Sequence, residues 1–373
     1  MTLAHREDAF EEHIEAHLLN SGWLKGDAAG YDRALGMTPS ELVTFLQATQ
    51  PQAWDKYTGL VGESAAPGKI AKRVASEIDA RGMIDVLRKG VKDTGVAFNI
   101  AYFAPAHDLT PELRDLYNAN RVTVVRQAHV SETNPADSID LLLLLNGLPI
   151  ATAELKTQFT KQDTQDAIKQ YQRDRNPADL IFRSRSIVHF ALDQDTVEMT
   201  TKLDGQNTTF RPFNLGSAGP GNNGGAGNPA NPNGPKTAYL WETVWQRDNW
   251  LALLGSFVHT GKVLDKAGKP TGKTYTIFPR YHQWDAVTKL LAAAKSEGPG
   301  HNKLIQHSAG SGKSNTIAWL AHGLSRLHTP ATEADLGQGA KDAGLEPNTQ
   351  VFDKVVVVTD RRVLDKQLQD VIT

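Results

Sequence analysis

Asp140, Glu154 and Lys156 are the residues whose types and spacing could most directly do chemistry. Asp140 lies in an apolar run from Ser138 to Leu145, and Glu154-Leu155-Lys156 closes the next run, Pro149 to Lys156. Two carboxylates on neighbouring strands can hold a divalent metal ion through oxygen ligands, with Mg2+ the parsimonious choice. Such an ion lowers the pKa of a bound water and stabilises charge on a scissile phosphate. Lys156, two residues after Glu154, shares its strand face and can polarise the water or the phosphate. The bland alternative is an edge hairpin whose Glu and Lys are merely solvated. Asp137 rivals Asp140 as first ligand but lies outside the strand. Glu11, on the first helix, could add a further acid, in competition with Glu12 and Glu15. Gln170, on the helix after Lys156, could touch nucleic acid or the lysine. For each of these helix residues a solvated surface position is the alternative.

The turn between the two runs makes the metal reading testable. Asn146-Gly147 is a strong hairpin signal. With a strict two-residue turn, Leu145 pairs with Leu148 and Asp140 with Ala153, so Glu154 and Lys156 point away from Asp140. One extra residue flips that parity. A metal site therefore requires an odd-length loop or a bulge. A three-residue loop of Leu145, Asn146 and a left-handed Gly147 is one way to supply it.

A second constellation is His307-Ser308-Ala309-Gly310-Ser311-Gly312-Lys313-Ser314, expected between a strand and a helix. Glycines there let backbone amides cradle the phosphates of a nucleotide such as ATP at a helix N-terminus. Lys313 would bridge the β- and γ-phosphates, and Ser314 would hold Mg2+. His307 stands where the strict pattern has Gly. Upstream, Tyr281 could stack on adenine and Gln283 could pair with its edge; a helix-cap region is the alternative. Downstream, Val355 to Val358 leads into Thr359-Asp360-Arg361-Arg362, which resembles a motor motif that delivers polar and basic residues to a DNA backbone.

The 373 residues carry 40 Lys and Arg against 42 Asp and Glu, a net charge of −2. That excludes a polycation and an acidic tail protein, though not a local basic groove. The 40% hydrophobic content argues for folded domains, and the absence of cysteine excludes disulfides, thiolate catalysis and Cys-ligated metals. The charged N-terminus is no signal peptide and no window is long and apolar enough for a membrane helix, so a cytoplasmic, soluble protein is the expectation.

Helices are expected over 9–20, 39–50, 67–88 with interruptions, 162–173, 239–258, 281–294 and 315–327, and a further one ends the chain. Strands are expected from Val122 to Val130, over the two runs of the hairpin, and over 186–192, 196–202, 303–306 and 354–359. Residues 214–236 hold 7 Gly, 4 Pro and 6 Asn, which marks an extended surface loop. Residues 259–273 read as a Gly/Lys linker between a first domain, 1–258, and a second, 274–373. The β–loop–α–β–α order of the second suggests a parallel α/β sheet. Gly219 to Gly224 fits G-x-G-x-x-G, but no strand precedes it and no helix follows, so it is no dinucleotide site. His13 and His17 are spaced like metal ligands but lack the Glu of a zinc-protease motif.

The layout of Asp140, Glu154 and Lys156 is that of the PD-(D/E)xK nuclease core, and the chain as a whole resembles the R subunit of type I restriction–modification enzymes. The resemblance rests on Phe45-Leu46-Gln47-Ala48-Thr49-Gln50-Pro51, on Asn146-Gly147-Leu148-Pro149 leading to Glu154-Leu155-Lys156, and on His189-Phe190-Ala191. It continues through Met199-Thr200-Thr201, Gly225-Ala226-Gly227-Asn228-Pro229 and Tyr239-Leu240-Trp241-Glu242. It implies an α/β chain: a PD-(D/E)xK-like mixed sheet flanked by helices, then part of a RecA-like P-loop parallel sheet from a superfamily 2 motor. It implies Mg2+-dependent cleavage of double-stranded DNA coupled to ATP-driven translocation, with methylation (M) and specificity (S) subunits as partners. No D-E-x-H-type motif follows Ser314, so the expectation is an N-terminal fragment without ATPase or translocation activity. A catalytically silent DNA- or partner-binding fragment, and a stand-alone P-loop NTPase, are the alternatives.

Overall fold

The computed structural model describes residues 4–158, 161–265 and 269–359. They form two compact units: residues up to Phe103 together with Leu116–Phe278, and Ala104–Asp115 together with the chain from Pro279. No helix among the described residues is long and apolar enough to cross a membrane.

The first unit opens with α1 (Ala4–Asn20), β1 (Leu24–Lys25), α2 (Pro39–Thr49), α3 (Pro51–Val61), α4 (Ala66–Arg81) and α5 (Met83–Lys89). The small hairpin of β2 (Val91–Asp93) and β3 (Val96–Phe98) follows, and α6 (Pro111–Asn118) spans the border between the units. Then come β4 (Val122–Ala128), β5 (Ile139–Leu145), β6 (Leu148–Leu155), α7 (Thr164–Arg173), β7 (Val188–Leu192), β8 (Val197–Thr200) and β9 (Arg211–Pro212). The unit ends with α8 (Arg247–Ala252), β10 (His259–Leu264) and β11 (Pro270–Ile277).

Seven strands make one mixed sheet in the order β1-β4-β5-β6-β7-β8-β9. The β1–β4 and β6–β7 pairs are parallel and the others antiparallel. Every residue of β5 and β6 is buried, so this hairpin is the centre of the sheet and not a solvated edge. Burial of Leu141 to Leu145 is worth on the order of 10 kcal/mol at roughly 2 kcal/mol per leucine. That is the scale needed to carry buried carboxylates, which cost several kcal/mol each. On one face Ala167, Ile168 and Tyr171 of α7 join Leu142, Leu144 and Ala191 in a common core. Asp163 caps α7 through the Gln165 amide, which explains why the helix starts there.

Three expectations for this unit are corrected. Residues 239–258 do not form one long helix. Gln246 adopts an extended ψ of 135° and separates a wide, π-helical turn at Leu240–Val244 from α8. The break lets all three tryptophans be buried, with Trp245 edge-on to Phe190 and Trp250 against Phe278. The linker expected at 259–273 is instead occupied by the antiparallel ribbon of β10 and β11, whose Lys262–Thr274 and Gly261–Tyr275 pairs leave no free spacer. The division between the units falls after Phe278.

The second unit contains α9 (Tyr281–Glu297), α10 (Lys313–Leu324) and α11 (Gln338–Asp342). The strands expected at 303–306 and 354–359, and with them a parallel sheet, are absent from the described residues. Leu304, Val356 and Val358 are exposed, at 94%, 79% and 86%. β-branched and apolar composition favours a strand only where a neighbouring ladder exists, and here none is paired with them. The stretch from Asp360, including Arg361, Arg362 and the expected last helix, lies outside the described residues.

Candidate active site

The hairpin that carries the two carboxylates solves the parity problem with a bulge. Leu145 pairs with Leu148, as a two-residue turn demands, and Asn146 and Gly147 both have positive φ (52° and 79°). The register then shifts: Leu144 faces Pro149 but Leu143 faces Ala151, leaving Ile150 as the extra residue. Beyond it Leu141 faces Ala153, so Asp140 and Glu154 are opposite and on one face. The three-residue loop is excluded because the turn has no room to grow. A Cβ on Gly147 would run into the Thr38 carbonyl, and the Thr38 amide donates to the Gly147 carbonyl at 2.8 Å. Asn146 is fully buried, accepting from the Arg121 amide at 2.7 Å and donating to the Ile100 carbonyl at 2.9 Å. The bulge therefore sits inside β6, next to Pro149, which has no amide to lose.

Asp140 Oδ2 accepts from the Leu155 amide at 2.7 Å. Glu154 is wholly buried; its Oε1 accepts from Arg175 Nε at 2.7 Å, and its buried Oε2 has no hydrogen-bond partner among the described residues. Burial, and next the neighbouring Asp140, push the Glu154 carboxyl up to about 8. Burial likewise raises Asp140. Lys156 is buried beside them, its Nζ 3.0 Å from Glu7 Oε1. Its charge lowers both Asp140 and Glu154 through space.

Of the three acids weighed on α1, Glu11 and Glu15 are buried, and Glu11 is the one that meets this group. Its Oε1 accepts from Gln127 Nε2 at 2.8 Å, and the same amide reaches Asp140 Oδ1 at 3.3 Å. Burial, then Asp140, raise Glu11 to about 7. Glu12 is exposed and lies 3.5 Å from Arg126, while Glu15 pairs with Lys25 at 3.2 Å and lies 3.6 Å from Arg126. Asp137 accepts from Asn134 at 2.6 Å and stands at the edge of the group. Gln170 is half-buried, and its side chain forms no hydrogen bond with the carboxylates among the described residues.

Four participants were not singled out from the sequence. Arg175 clamps Glu154 and also donates to the Ser138 carbonyl at 2.6 Å, tying the start of β5 to the end of β6. Gln127 bridges Glu11 and Asp140 from a left-handed backbone (φ 49°), a strained conformation for a non-glycine residue. Glu7 holds Lys156, and Arg126 Nε donates to Glu11 at 3.2 Å. Only D-R after the Q-Y of α7 hinted at Arg175; the others carry no local signal.

Glu198 stands in the same cross-strand row, beyond Ala191, and burial pushes its carboxyl up to about 7. A carboxyl raised on folding contributes stability that is intact below the unfolded value and is lost as pH rises through 7. Glu198→Gln should therefore melt with the parent at pH 5 and above it at pH 8.5. Equal melting at both pH values would mean that this carboxyl is solvated.

In the second unit the glycine-rich loop expected to bind phosphates closes on itself. Gly310 and Gly312 are left-handed (φ 74° and 83°), and Lys313, the first residue of α10, donates to the carbonyls of His307 and Ser308 at 3.1 and 2.9 Å. Ser314 follows in the first turn. Gln283 Nε2 donates to the carbonyls of Ser311 and Gly312 at 3.2 and 2.9 Å. Tyr281 is buried against Trp284. His13 is edge-on to Trp241 and His17 contacts Gln246, so neither takes part in a metal cluster. Indeed, no group of three or more His, Asp or Glu side chains suited to a metal occurs among the described residues.

Comparison with known proteins finds sequence similarity over the part of the chain that carries the carboxylates. Residues 103–208 match the family described as the type I restriction enzyme R protein N terminus. A Methanocaldococcus jannaschii protein named as type I restriction enzyme MjaVIIIP endonuclease subunit is 26% identical over 209 residues, covering 53% of this chain and 18% of that relative. The chain thus spans less than a fifth of that relative. The matched region contains Asp140, Glu154, Lys156 and Arg175. Residues 103–208 of this chain are thus similar to the N-terminal region of type I restriction enzyme R proteins.

Proposed function

We propose that the first unit is a divalent-metal-dependent endonuclease centre acting on duplex DNA. The observation that carries the reading is Glu154 Oε2, a buried carboxylate oxygen without a partner, directly across the strand pair from Asp140. A buried pair in which Asp140 raises the proton affinity of Glu154 fits a divalent cation. The small number of acidic side chains fits an oxygen-loving ion such as Mg2+, which keeps several waters. Asp140 and Glu154 are the residues that would hold it. The ion would supply an activated water and neutralise charge on the phosphate.

The chain's own side chains do the rest. Arg175 occupies Glu154 Oε1 and so leaves Oε2 available, and the Leu155 amide fixes Asp140. Lys156, held by Glu7, would present its ammonium to the phosphate or the attacking water. Glu11, with a pKa near neutrality, can exchange a proton beside Asp140.

The test is nicking of supercoiled plasmid with Mg2+ and no ATP. Lys156→Ala should slow the parent's nicking by about a hundredfold or more. A parent that binds DNA but leaves the plasmid intact would instead establish the silent binding module.

A second reading rests on the glycine-rich loop, where Lys313 is held by the His307 and Ser308 carbonyls and would turn to a phosphate cradled by the loop's amides. On this reading Gly310, Ser311, Gly312 and Lys313 take the phosphates of ATP and Ser314 holds its Mg2+. Gln283 would have to exchange its P-loop carbonyls for adenine, with Tyr281 beside it. The wider reading follows the family: cleavage coupled to ATP-driven translocation, in a complex with methylation and specificity subunits.

A further inference from the structure

We infer that Gln127 is a positioning residue that limits the carboxylate centre to one divalent cation, held between Asp140 and Glu154, by filling the place of a second one between Glu11 and Asp140. The inference deepens the nuclease reading and rests on it. Gln127 stands in β4 directly opposite Asp140, between the Arg126–Leu141 and Ala128–Ile139 pairs. Asp140 thus has Gln127 on one side and Glu154 on the other, in one cross-strand row. The side chain of Gln127 is fixed from three directions. Its Nε2 donates to Glu11 Oε1 at 2.8 Å and to Asp140 Oδ1 at 3.3 Å, and its Oε1 accepts from Ser138 Oγ at 2.6 Å. Carboxylates accept and do not donate, so the amide has this one orientation: turned over, its oxygen would face two carboxylates. The backbone at Gln127 is left-handed (φ 49°) inside a strand, which costs about 1–3 kcal/mol for a non-glycine residue. The three hydrogen bonds of the amide offset that cost.

A cation between Glu11 and Asp140 would meet the amide nitrogen of Gln127. In two-metal centres the ions lie roughly 3.5–4 Å apart, a spacing that one carboxylate can bridge. Asp140 is the residue that two ions would share here, with Glu11 as the further ligand of the second. Instead the N–H groups of Gln127 serve both carboxylates as a neutral substitute for positive charge. The other oxygens on that side are engaged as well. Glu11 Oε2 accepts from Arg126 Nε at 3.2 Å, and Asp140 Oδ2 from the Leu155 amide at 2.7 Å. Among the described residues, Glu154 Oε2 is left as the one oxygen of the three carboxylates without a hydrogen-bond partner. The hydrogen bonds therefore close the Glu11 side of Asp140 and leave the Glu154 side open.

The test counts ions and is independent of cleavage. The full chain, without DNA or nucleotide, is titrated with Mn2+, and the free ion is followed by electron paramagnetic resonance. The parent should bind one Mn2+ tightly. Gln127→Gly removes the amide and adopts the left-handed backbone without strain, and it should bind two. Gln127→Asn tolerates the same backbone and is one methylene too short to bridge the acids, so it should also bind two. Adding Glu11→Gln to either variant should return the count to one, which a merely structural role for Gln127 would not produce. Two ions in the parent, or one in both Gln127 variants, would overturn the inference and leave the nuclease centre standing. A parent that binds no Mn2+ would discard the metal reading itself, and this inference with it.

Discussion

Inserting one alanine between Ala151 and Thr152 is expected to abolish Mg2+-dependent nicking and to lower the melting temperature by more than about 10 °C. The turn cannot absorb the insertion, because Asn146 and Gly147 are caged by Thr38, Ile100 and Arg121. The strand already carries its one extra residue at Ile150, and a second turns every residue from Thr152 onward to the other face. Glu154 leaves Asp140 and Arg175 and is driven into apolar surroundings, at a cost of several kcal/mol. At about 2–4 °C per kcal/mol for a unit of this size, that is the stated drop. Differential scanning calorimetry and the plasmid assay read both consequences. An insertion variant that melts within about 2 °C of the parent and still nicks would show that the pairing across from Asp140 is incidental.

Arg175→Met should cost about 3 kcal/mol or more, because it leaves Glu154 buried without its cation. The same change frees the Ser138 carbonyl, so the start of β5 loses its tie to the end of β6. Most of the loss should return in Arg175→Met/Glu154→Gln, which removes the orphaned charge as well. Urea denaturation at pH 8 separates the outcomes. If the double variant is no more stable than the single one, the guanidinium acts through packing and not through the carboxylate.

Much of the first unit is legible in the sequence because its signals are local. Alternating and continuous apolar runs bounded by Asn-Gly, Pro and Asp place β4 to β8 and α7 within a residue or two. Counting residues around the turn is enough to require a parity change between Asp140 and Glu154. What counting does not reveal is where the extra residue goes. That is decided by α2, more than 100 positions earlier, whose first residues close over the hairpin tip. Arg175, Gln127 and Glu7 escape for the same reason: each is chosen by tertiary contact. The second unit shows the opposite error. The valines of 354–359 have strand propensity, yet propensity supplies no ladder, and among the described residues no neighbour pairs with them. The Trp-rich stretch misleads because three large rings must all be buried, and one uninterrupted helix would not do that.

The caged turn also bears on chemical ageing. Asn-Gly is the dipeptide most prone to deamidation, in which the glycine amide attacks the asparagine side chain and closes a succinimide ring. Asn146 has its side-chain oxygen and nitrogen committed to Arg121, Ile100 and Asn120, in a cavity with no room for the ring or for the water that opens it. The exposed pairs Asn223-Gly224 and Asn233-Gly234, in the Gly/Asn/Pro-rich loop, have no such enclosure. Wear of this kind therefore accumulates where it alters a surface loop, while the residue pair that sets the register of the carboxylates stays intact for the lifetime of the fold.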